Sequence, residues 1–181
     1  FVENRNQVRG GIGDINIARM LLIPNLLVRS GSPLKALNIG DELGNTPLHI
    51  SEIEGDSELT NLFLDHNPDI HKLNNDGLTV LHLACLNDNN DEIVKKIIDM
   101  VGDVNDVMDP SGATPLHYAA FASLNNVKLL IKEGMDINTV TDDGSTALHW
   151  AVTFEPRGQD YNPVRITDIV NFLIKSGIDK N

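Results

Sequence analysis

The stretch Gly112-Ala-Thr-Pro-Leu-His-Tyr-Ala-Ala120 decides the fold, because it recurs along the chain at a nearly constant interval. Degraded copies of it occupy residues 44–51, 77–84 and 144–151. The threonines of the four copies stand at positions 46, 79, 114 and 146, so the copies follow one another at steps of 33, 35 and 32 residues. A regular period with a constant signature indicates an array of stacked supersecondary units, each of which buries its apolar face against its neighbours.

Local signals within each copy predict how one unit folds. A turn dipeptide such as Asp143-Gly144 precedes the threonine, whose hydroxyl can cap a helix that begins with proline at Pro47 and Pro115. A second apolar segment then ends at a glycine, or at Asn67 in the first full unit, where a left-handed residue can end a helix. The second helices that we predict are Leu59–Leu64, Ile93–Met100, Val127–Lys132 and Ile169–Lys175.

These copies resemble the ankyrin repeat, and Thr114-Pro-Leu-His117 is close to the hallmark of that family. The resemblance implies an all-α solenoid of stacked helix-turn-helix units with short hairpin-like turns. We expect a flexible lead-in at residues 1–13 and a degenerate N-terminal repeat at 14–40. Four ankyrin-like repeats then follow at residues 41–73, 74–108, 109–140 and 141–181.

The composition of the chain limits the kinds of partner and the cellular compartment that we expect. The formal net charge of −12 argues against nucleic acid and anionic membrane surfaces, and favours a partner protein with a basic surface. Cys85 is the only cysteine, so the chain forms no internal disulfide, which fits a reducing cytoplasmic or nuclear compartment. The sequence has no run of about 18 apolar residues, the length that a membrane-spanning helix requires.

The repeated histidines, His49, His82, His117 and His149, are the most tempting candidates for chemistry. The resemblance implies that neighbouring repeats stack about 10 Å apart, which is too far for the rings to share one metal ion. We therefore expect each ring to hydrogen-bond the backbone of the neighbouring turn. We expect Cys85 to be a buried structural thiol, because no basic residue stands close by in the sequence. The sequence predicts no catalytic residue, no metal ligand and no cofactor, and hence no enzyme.

The resemblance implies that the turn tips and one edge of the first helices line a concave binding surface. Several of these positions are apolar where the fold does not require it, and Ile53, Leu86 and Phe121 would form a stripe across three units. The turn positions are Leu43, Asn45, Leu73, Leu78, Met108, Ala113, Val140 and Ser145. The residues that we predict to bind a partner are Leu43, Ile53, Leu78, Leu86, Met108, Phe121 and Phe154, together with Arg157 and Tyr161.

Arg157 and Tyr161 lie on an insertion, Phe154–Pro163, between the two helices of the last repeat. Insertions in repeat arrays form loops on one side, often the binding side, although neutral drift in loop length is the alternative. We expect the nearby Trp150 to fill the core. Acidic turn residues would steer a basic partner toward the concave face, and these are Glu42, Asp76, Asp142 and Asp143.

The resemblance implies a scaffold that binds a partner protein as an adaptor, targeting or inhibitory module. Two other classes stay open: the substrate-targeting domain of a larger enzyme whose catalytic part is absent from this chain, and a structural part of a larger assembly. The chain begins with Phe1, and its last helix keeps the apolar pattern of an internal repeat. We therefore expect further repeats, or another surface that covers this end.

Overall fold

The computed structural model of the chain describes residues 37–88, 90–153 and 163–177. Within those ranges the backbone forms eight α-helices and a short 3₁₀ turn at Val104–Asp106, with no β-strand. The helices are α1 (Pro47–Glu54), α2 (Ser57–Leu64), α3 (Val80–Cys85), α4 (Asp91–Val101), α5 (Pro115–Ala122), α6 (Leu124–Lys132), α7 (Ala147–Thr153) and α8 (Pro163–Lys175). The all-α architecture expected from the repeats is confirmed. The predicted lead-in and most of the degenerate repeat, residues 1–36, lie outside the described residues.

The eight helices form two layers. The first helices of successive repeats pack side by side in the order α1, α3, α5, α7, and the second helices follow in the order α2, α4, α6, α8. The two helices of each repeat also pack against one another. Each repeat therefore contacts mainly its sequence neighbours, which is the arrangement of a solenoid.

The core lies between the two layers. Leu48, Leu81 and Leu116 hold the same register in three first helices and are no more than 2% exposed. Ala84 and Ala119 are completely buried, and such small side chains allow neighbouring helices to approach closely. The second layer contributes buried aliphatic residues, among them Val94, Ile97, Val127, Leu130, Ile169 and Leu173.

The second helices begin earlier than predicted. Helix α4 begins at Asp91 rather than Ile93, and α6 begins at Leu124 rather than Val127. Helix α2 likewise begins at Ser57, and α8 at Pro163. The prediction placed each start at the first buried apolar residues and missed a first turn that is mostly polar. In α6 that turn begins directly after Ser123, whose hydroxyl accepts a hydrogen bond from the Asn126 backbone N–H at 3.3 Å.

Four tight turns project from the first helices, one before each capping threonine. In every turn two backbone hydrogen bonds of 2.8–3.0 Å close the hairpin-like loop, as between Asp41 N–H and the Asn45 carbonyl. Adjacent turns are also joined directly, since the Asn75 N–H donates to the Leu43 carbonyl at 2.9 Å and the Asp142 N–H donates to the Ser111 carbonyl at 2.8 Å. These bonds join the first turn to the second and the third turn to the fourth.

Glycine is required in these turns by backbone conformation and by space. Gly44 and Gly77 adopt φ angles of 75° and 76°, in the left-handed region that glycine enters without a steric cost. A Cβ atom on Gly77 would also lie 2.3 Å from the ring of Pro110 in the next turn. Asn67 lies three residues after the end of α2 at Leu64, and it adopts the left-handed conformation expected there, with a φ of 54°.

Candidate protein-binding surface

Apolar side chains stand exposed at one repeated position of the turns. Leu73, Met108 and Val140 each lie six residues before a capping threonine, and they are 54%, 48% and 53% exposed. We call these three residues the turn row. Leu43, on the first described turn, is 52% exposed at a different register. Exposed apolar residues at one register of three successive repeats make a periodic apolar edge on the surface.

The turn row follows from the geometry of the turn. The residue after each member opens the turn, and its N–H donates to a carbonyl four residues later, as Asp109 N–H does to Ala113 at 2.9 Å. The row residue itself therefore lies just outside the closed loop, where no helix covers it. Folding does not bury these side chains, so the fold alone does not explain why they are apolar.

The predicted stripe on the first helices is only partly at the surface. Ile53 is 37% exposed, whereas Leu86 and Phe121 are half-buried and Leu86 packs against the core. The stripe therefore offers a partner one exposed side chain and the edges of two others. Met108 and the rest of the turn row present a larger exposed apolar surface.

The prediction that Leu78 belongs to the binding surface is wrong. Its side chain is 1% exposed and lies in the core, and Asn45 and Ala113 at the same register are 5% and 0% exposed. The Leu78 carbonyl accepts hydrogen bonds from the Asn74 N–H inside the turn and from the ring of His49 in the preceding repeat. Because these two hydrogen bonds fix the backbone at Leu78, just before α3, the Leu78 side chain lies in the core.

Three further residues of the predicted surface cannot be placed. Phe154, Arg157 and Tyr161 belong to the insertion in the last repeat, and they lie in residues 154–162, outside the described residues. Their assignment to the binding surface stays a prediction. The acidic turn residues that the sequence singled out are all exposed, and they are Glu42, Asp76, Asp142 and Asp143.

Three of the four histidines, His49, His82 and His117, link one repeat to the next, as predicted. The Nδ1 atom of His49 lies 2.7 Å from the Oγ1 atom of Thr46, and Nε2 lies 3.1 Å from the Leu78 carbonyl of the following turn. His82 and His117 repeat this pattern with Thr79 and Thr114, and their Nε2 atoms lie 3.3 Å and 3.2 Å from the next turn's carbonyl. Their role is structural, because both ring nitrogens are already engaged.

Burial changes the acid–base properties of these rings. Because burial disfavours the charged imidazolium, the pKa values of His49 and His117 lie below their ordinary value, and that of His82 falls to about 4. Neutral rings fit their place between a hydroxyl and a carbonyl. His149 contacts Thr146 through Nδ1 at 2.9 Å, but it is exposed.

An aromatic cluster continues from these histidines. The ring of Tyr118 packs against His82 and Trp150, with centroid distances of 5.1 Å in both pairs, and Trp150 also packs edge-on against His117. The Tyr118 hydroxyl donates a hydrogen bond of 2.7 Å to the Asp109 carboxylate. Burial raises the pKa of the tyrosine, and this bond raises it further. The half-buried Trp150 thus packs against its neighbours, as predicted.

The environment of Cys85 does not favour nucleophilic chemistry. Cys85 is fully buried, and burial raises the pKa of its thiol well above the ordinary range, so it is the structural thiol that we expected. In the ranges described, no three His, Cys, Asp or Glu side chains are grouped to hold a metal ion. None of the described helices is long and apolar enough to cross a membrane.

Sequence reasoning missed a buried carboxylate, Glu52, which is 2% exposed. It stands six residues after its capping threonine, where the next two repeats place Cys85 and Ala120. The signal that could have found it is therefore an acidic residue at a register otherwise occupied by small, buried side chains.

The profile described as "Ankyrin repeats (3 copies)" matches residues 11–107 and again residues 87–181 of the chain. The chain is 31% identical over 173 residues to the B-cell lymphoma 3 protein homolog of Mus musculus, covering 91% of this chain and 36% of that protein. It is 35% identical over 123 residues to the nuclear factor NF-kappa-B p105 subunit of Gallus gallus, covering 66% of this chain and 12% of that protein.

A further relative is the palmitoyltransferase AKR1 of Lachancea kluyveri, which is 27% identical over 143 residues, covering 77% of this chain and 18% of that protein. The chain thus spans about a third of the length of the first of these relatives and under a fifth of the other two. With profile matches that run from residue 11 to residue 181 and the observed solenoid, the chain belongs to the ankyrin repeat family.

Proposed function

We propose that the array is an intracellular scaffold that binds a partner protein through the surface formed by its turns, which we call the turn face. The turn row, Leu73, Met108 and Val140, provides the apolar contacts. The observation that carries this proposal is the repeated exposure of these three side chains at one register, each about half in solvent. Leucine, methionine and valine at a position that does not contribute to the core leave apolar surface for a partner to cover. Family membership supports the same class of function, since ankyrin repeats are generally protein-interaction modules.

Rigidity of the turn edge favours binding. Hydrogen bonds between adjacent turns, such as Asn74 Nδ2 to Asn45 Oδ1 at 3.0 Å and Asn75 Nδ2 to the Glu42 carbonyl at 2.9 Å, hold neighbouring turns together. The turns that carry Met108 and Val140 are likewise joined by the bond from the Asp142 N–H to the Ser111 carbonyl at 2.8 Å. These bonds therefore restrict the motion of the turns before a partner arrives. Less conformational entropy is lost on binding when the contact residues are already positioned.

Charge around the turn row supports a partner with a basic surface. Glu42, Asp76 and Asp142 are exposed on three of the four turns, and the whole chain carries a net charge of −12. Such a field speeds the approach of a basic protein, and added salt weakens the effect. A single unpaired cysteine supports the intracellular location.

The test is capture from cell lysate by the wild-type chain and by the double variant Leu73→Gln/Met108→Gln. Glutamine keeps the side-chain length and the charge while it removes the apolar surface. The matched control is Val164→Gln/Ile174→Gln, which changes two exposed aliphatic residues of α8, 66% and 37% exposed. The captured protein is identified, purified and titrated calorimetrically against all three chains.

We expect the turn-row variant to bind its partner at least about tenfold more weakly, because central apolar contacts each contribute more than about 1 kcal/mol. The control variant should retain the wild-type affinity. Equal affinities of all three chains would show that the partner binds elsewhere, and the insertion at 154–163 would be the next region to test.

A second candidate function is the substrate-targeting domain of a larger enzyme. The match to a palmitoyltransferase, of which the chain covers 18%, favours this candidate. The array would then bind the protein substrate through the same turn row. In that case the turn-row variant of the whole protein should raise KM for the protein substrate and leave turnover of a short peptide substrate unchanged.

A further inference from the structure

A polar cavity of about 150 Å³ opens beside the end of α1 and the start of α4, away from the turn row. It is lined by Glu52, Gly55, Ser57, Asn87, Asp88 and Asn90. Two of these residues are carboxylates, and no cationic side chain is among them. A cavity of this size holds several water molecules, each of which occupies about 30 Å³ in the liquid.

One carboxylate oxygen of Glu52 accepts hydrogen bonds from the described residues, and the other accepts none. Oε2 accepts hydrogen bonds from Asn87 Nδ2 at 2.9 Å and Asn90 Nδ2 at 3.1 Å. Oε1 is buried, and no donor among the described residues reaches it. Burial raises the pKa of the Glu52 carboxyl, although the neighbouring Asn87, Thr60 and Asn90 side chains partly oppose it. The Thr60 hydroxyl donates its hydrogen bond to Ser51 Oγ at 2.8 Å and not to Oε1. An unpartnered carboxylate oxygen in such a place is costly unless a ligand or a proton occupies it.

The Asn90 side chain donates a hydrogen bond to Glu52 and does not cap the helix that follows it. Asn90 is the residue that precedes α4, yet its side chain makes no capping hydrogen bond. At the equivalent place in two other repeats, Asp56 accepts from the Leu59 N–H at 3.0 Å and Ser123 accepts from the Asn126 N–H at 3.3 Å. Asn90 is 7% exposed, and its Oδ1 atom has no partner among the described residues.

Two buried, unpartnered oxygens thus line the same cavity, and a second carboxylate lies at its edge. Asp88 is exposed and accepts a hydrogen bond from Ser123 at 2.8 Å through Oδ1. The donor set is entirely oxygen, which suits a hard cation and not zinc, whose sites use nitrogen and sulfur. With few protein ligands, such an ion would keep several of its waters, and the cavity volume allows for them.

We propose that this cavity binds one hard divalent cation, Ca²⁺ or Mg²⁺, through Glu52 Oε1, Asn90 Oδ1 and the carboxylate of Asp88. The ion joins the first two described repeats, because Glu52 lies on α1 whereas Asp88 and Asn90 precede α4. Asn87, in the same segment, also accepts from Asn126 of the third repeat at 2.9 Å through its backbone carbonyl. Cation binding therefore stabilises the stack at a place remote from the turn row, and it does not depend on the proposed partner.

The test is calorimetric titration of the 181-residue chain, freed of metal with a chelator, with CaCl₂ and MgCl₂ separately. Glu52→Gln removes the charge and keeps the shape, and circular dichroism checks its fold. Glu54→Gln is the matched control, because Glu54 lies on the same helix, is exposed and does not line the cavity. Asn90→Asp is a second test that adds a negative ligand to the site.

We expect one ion per chain, at least a tenfold loss of affinity in Glu52→Gln and unchanged affinity in Glu54→Gln. Asn90→Asp should bind roughly threefold more tightly or better, since affinity rises with the number of charged ligands. Preference for one salt over the other identifies the cation. The absence of binding at millimolar concentrations of both salts would overturn the proposal and assign a neutral acid to Glu52. Equal losses in the two glutamine variants would also overturn it, because they would indicate diffuse attraction to an acidic surface. If Glu52→Gln does not fold, unchanged or weaker binding by Asn90→Asp overturns it.

Discussion

Lowering the pH from 7 to 4 is predicted to destabilise the array through its buried histidines. His82 is completely buried, and its pKa falls from 6.5 to about 4, chiefly because burial disfavours the charged ring. The Ala113 carbonyl and the Asp109 carboxylate partly oppose this shift, whereas the charges of His117 and His49 add to it. The unfolded chain therefore binds a proton in a pH range where the folded chain does not.

The change in the pKa of His82 corresponds to about 3 kcal/mol of stability. Since the folded pKa lies below the unfolded value, this contribution is fully present above pH 6.5 and is lost as the pH falls toward 4. His49 and His117, whose pKa values are also lowered, act in the same direction. Glu52 has a raised pKa and acts in the opposite direction, whereas the lowered pKa of Asp109 adds to the loss at the acidic end of the range.

The assay is urea denaturation at pH 7, 5.5 and 4.5 for the wild type and for His82→Gln. Glutamine cannot titrate in this range, and its amide N–H can still donate to the Ala113 carbonyl. The wild type should lose more stability than the variant as the pH falls. Parallel pH profiles, or an imidazole of His82 that titrates near 6.5 by NMR, would refute the reasoning.

Four substitutions test the packing and the turns by chemical denaturation. Leu78→Ala should lower the free energy of unfolding by about 2–5 kcal/mol, because its side chain is 1% exposed. Leu73→Ala should lower it by less than about 0.5 kcal/mol, because that side chain is 54% exposed. Similar losses of stability in the two variants would contradict this difference in burial. Gly77→Ala should cost at least about 1–2 kcal/mol because its φ is 76°, and a neutral result would contradict that backbone conformation. Tyr118→Phe should cost about 1–2 kcal/mol through the lost bond to Asp109, and an unchanged unfolding midpoint would show that this bond contributes little.

The repeat signature predicted those parts of the fold that depend on local chemistry. The cap of α1 by the Thr46 hydroxyl, the glycines of the turns and the contacts of His49 with the next turn follow from residue type and period. The predicted second helices start too late, because the prediction follows the buried apolar residues. Helix α4, for example, begins with the polar Asp91. Helix type and order were thus more predictable than helix bounds.

The candidate site was less predictable, because exposure depends on tertiary geometry. Leu73 and Leu78 are both leucines in the same turn region, five residues apart, yet one is exposed and the other is in the core. Only the path of the backbone into the helix determines which of the two leucine side chains is buried. Glu52 could not be assigned a buried position from its own chemistry, since its burial follows from the register that it shares with Cys85 and Ala120.

Site-specific photo-crosslinking in cell lysate tests the turn face as the binding surface most directly. A photoreactive phenylalanine analogue is placed at Met108 in one chain and at Ile174 in another, because both residues are exposed and only the first lies on the turn row. We predict a discrete adduct with one partner protein at Met108, lost when Leu73→Gln is added, and none at Ile174. The same adduct at both positions, or an adduct at Ile174 alone, would contradict binding through the turn face.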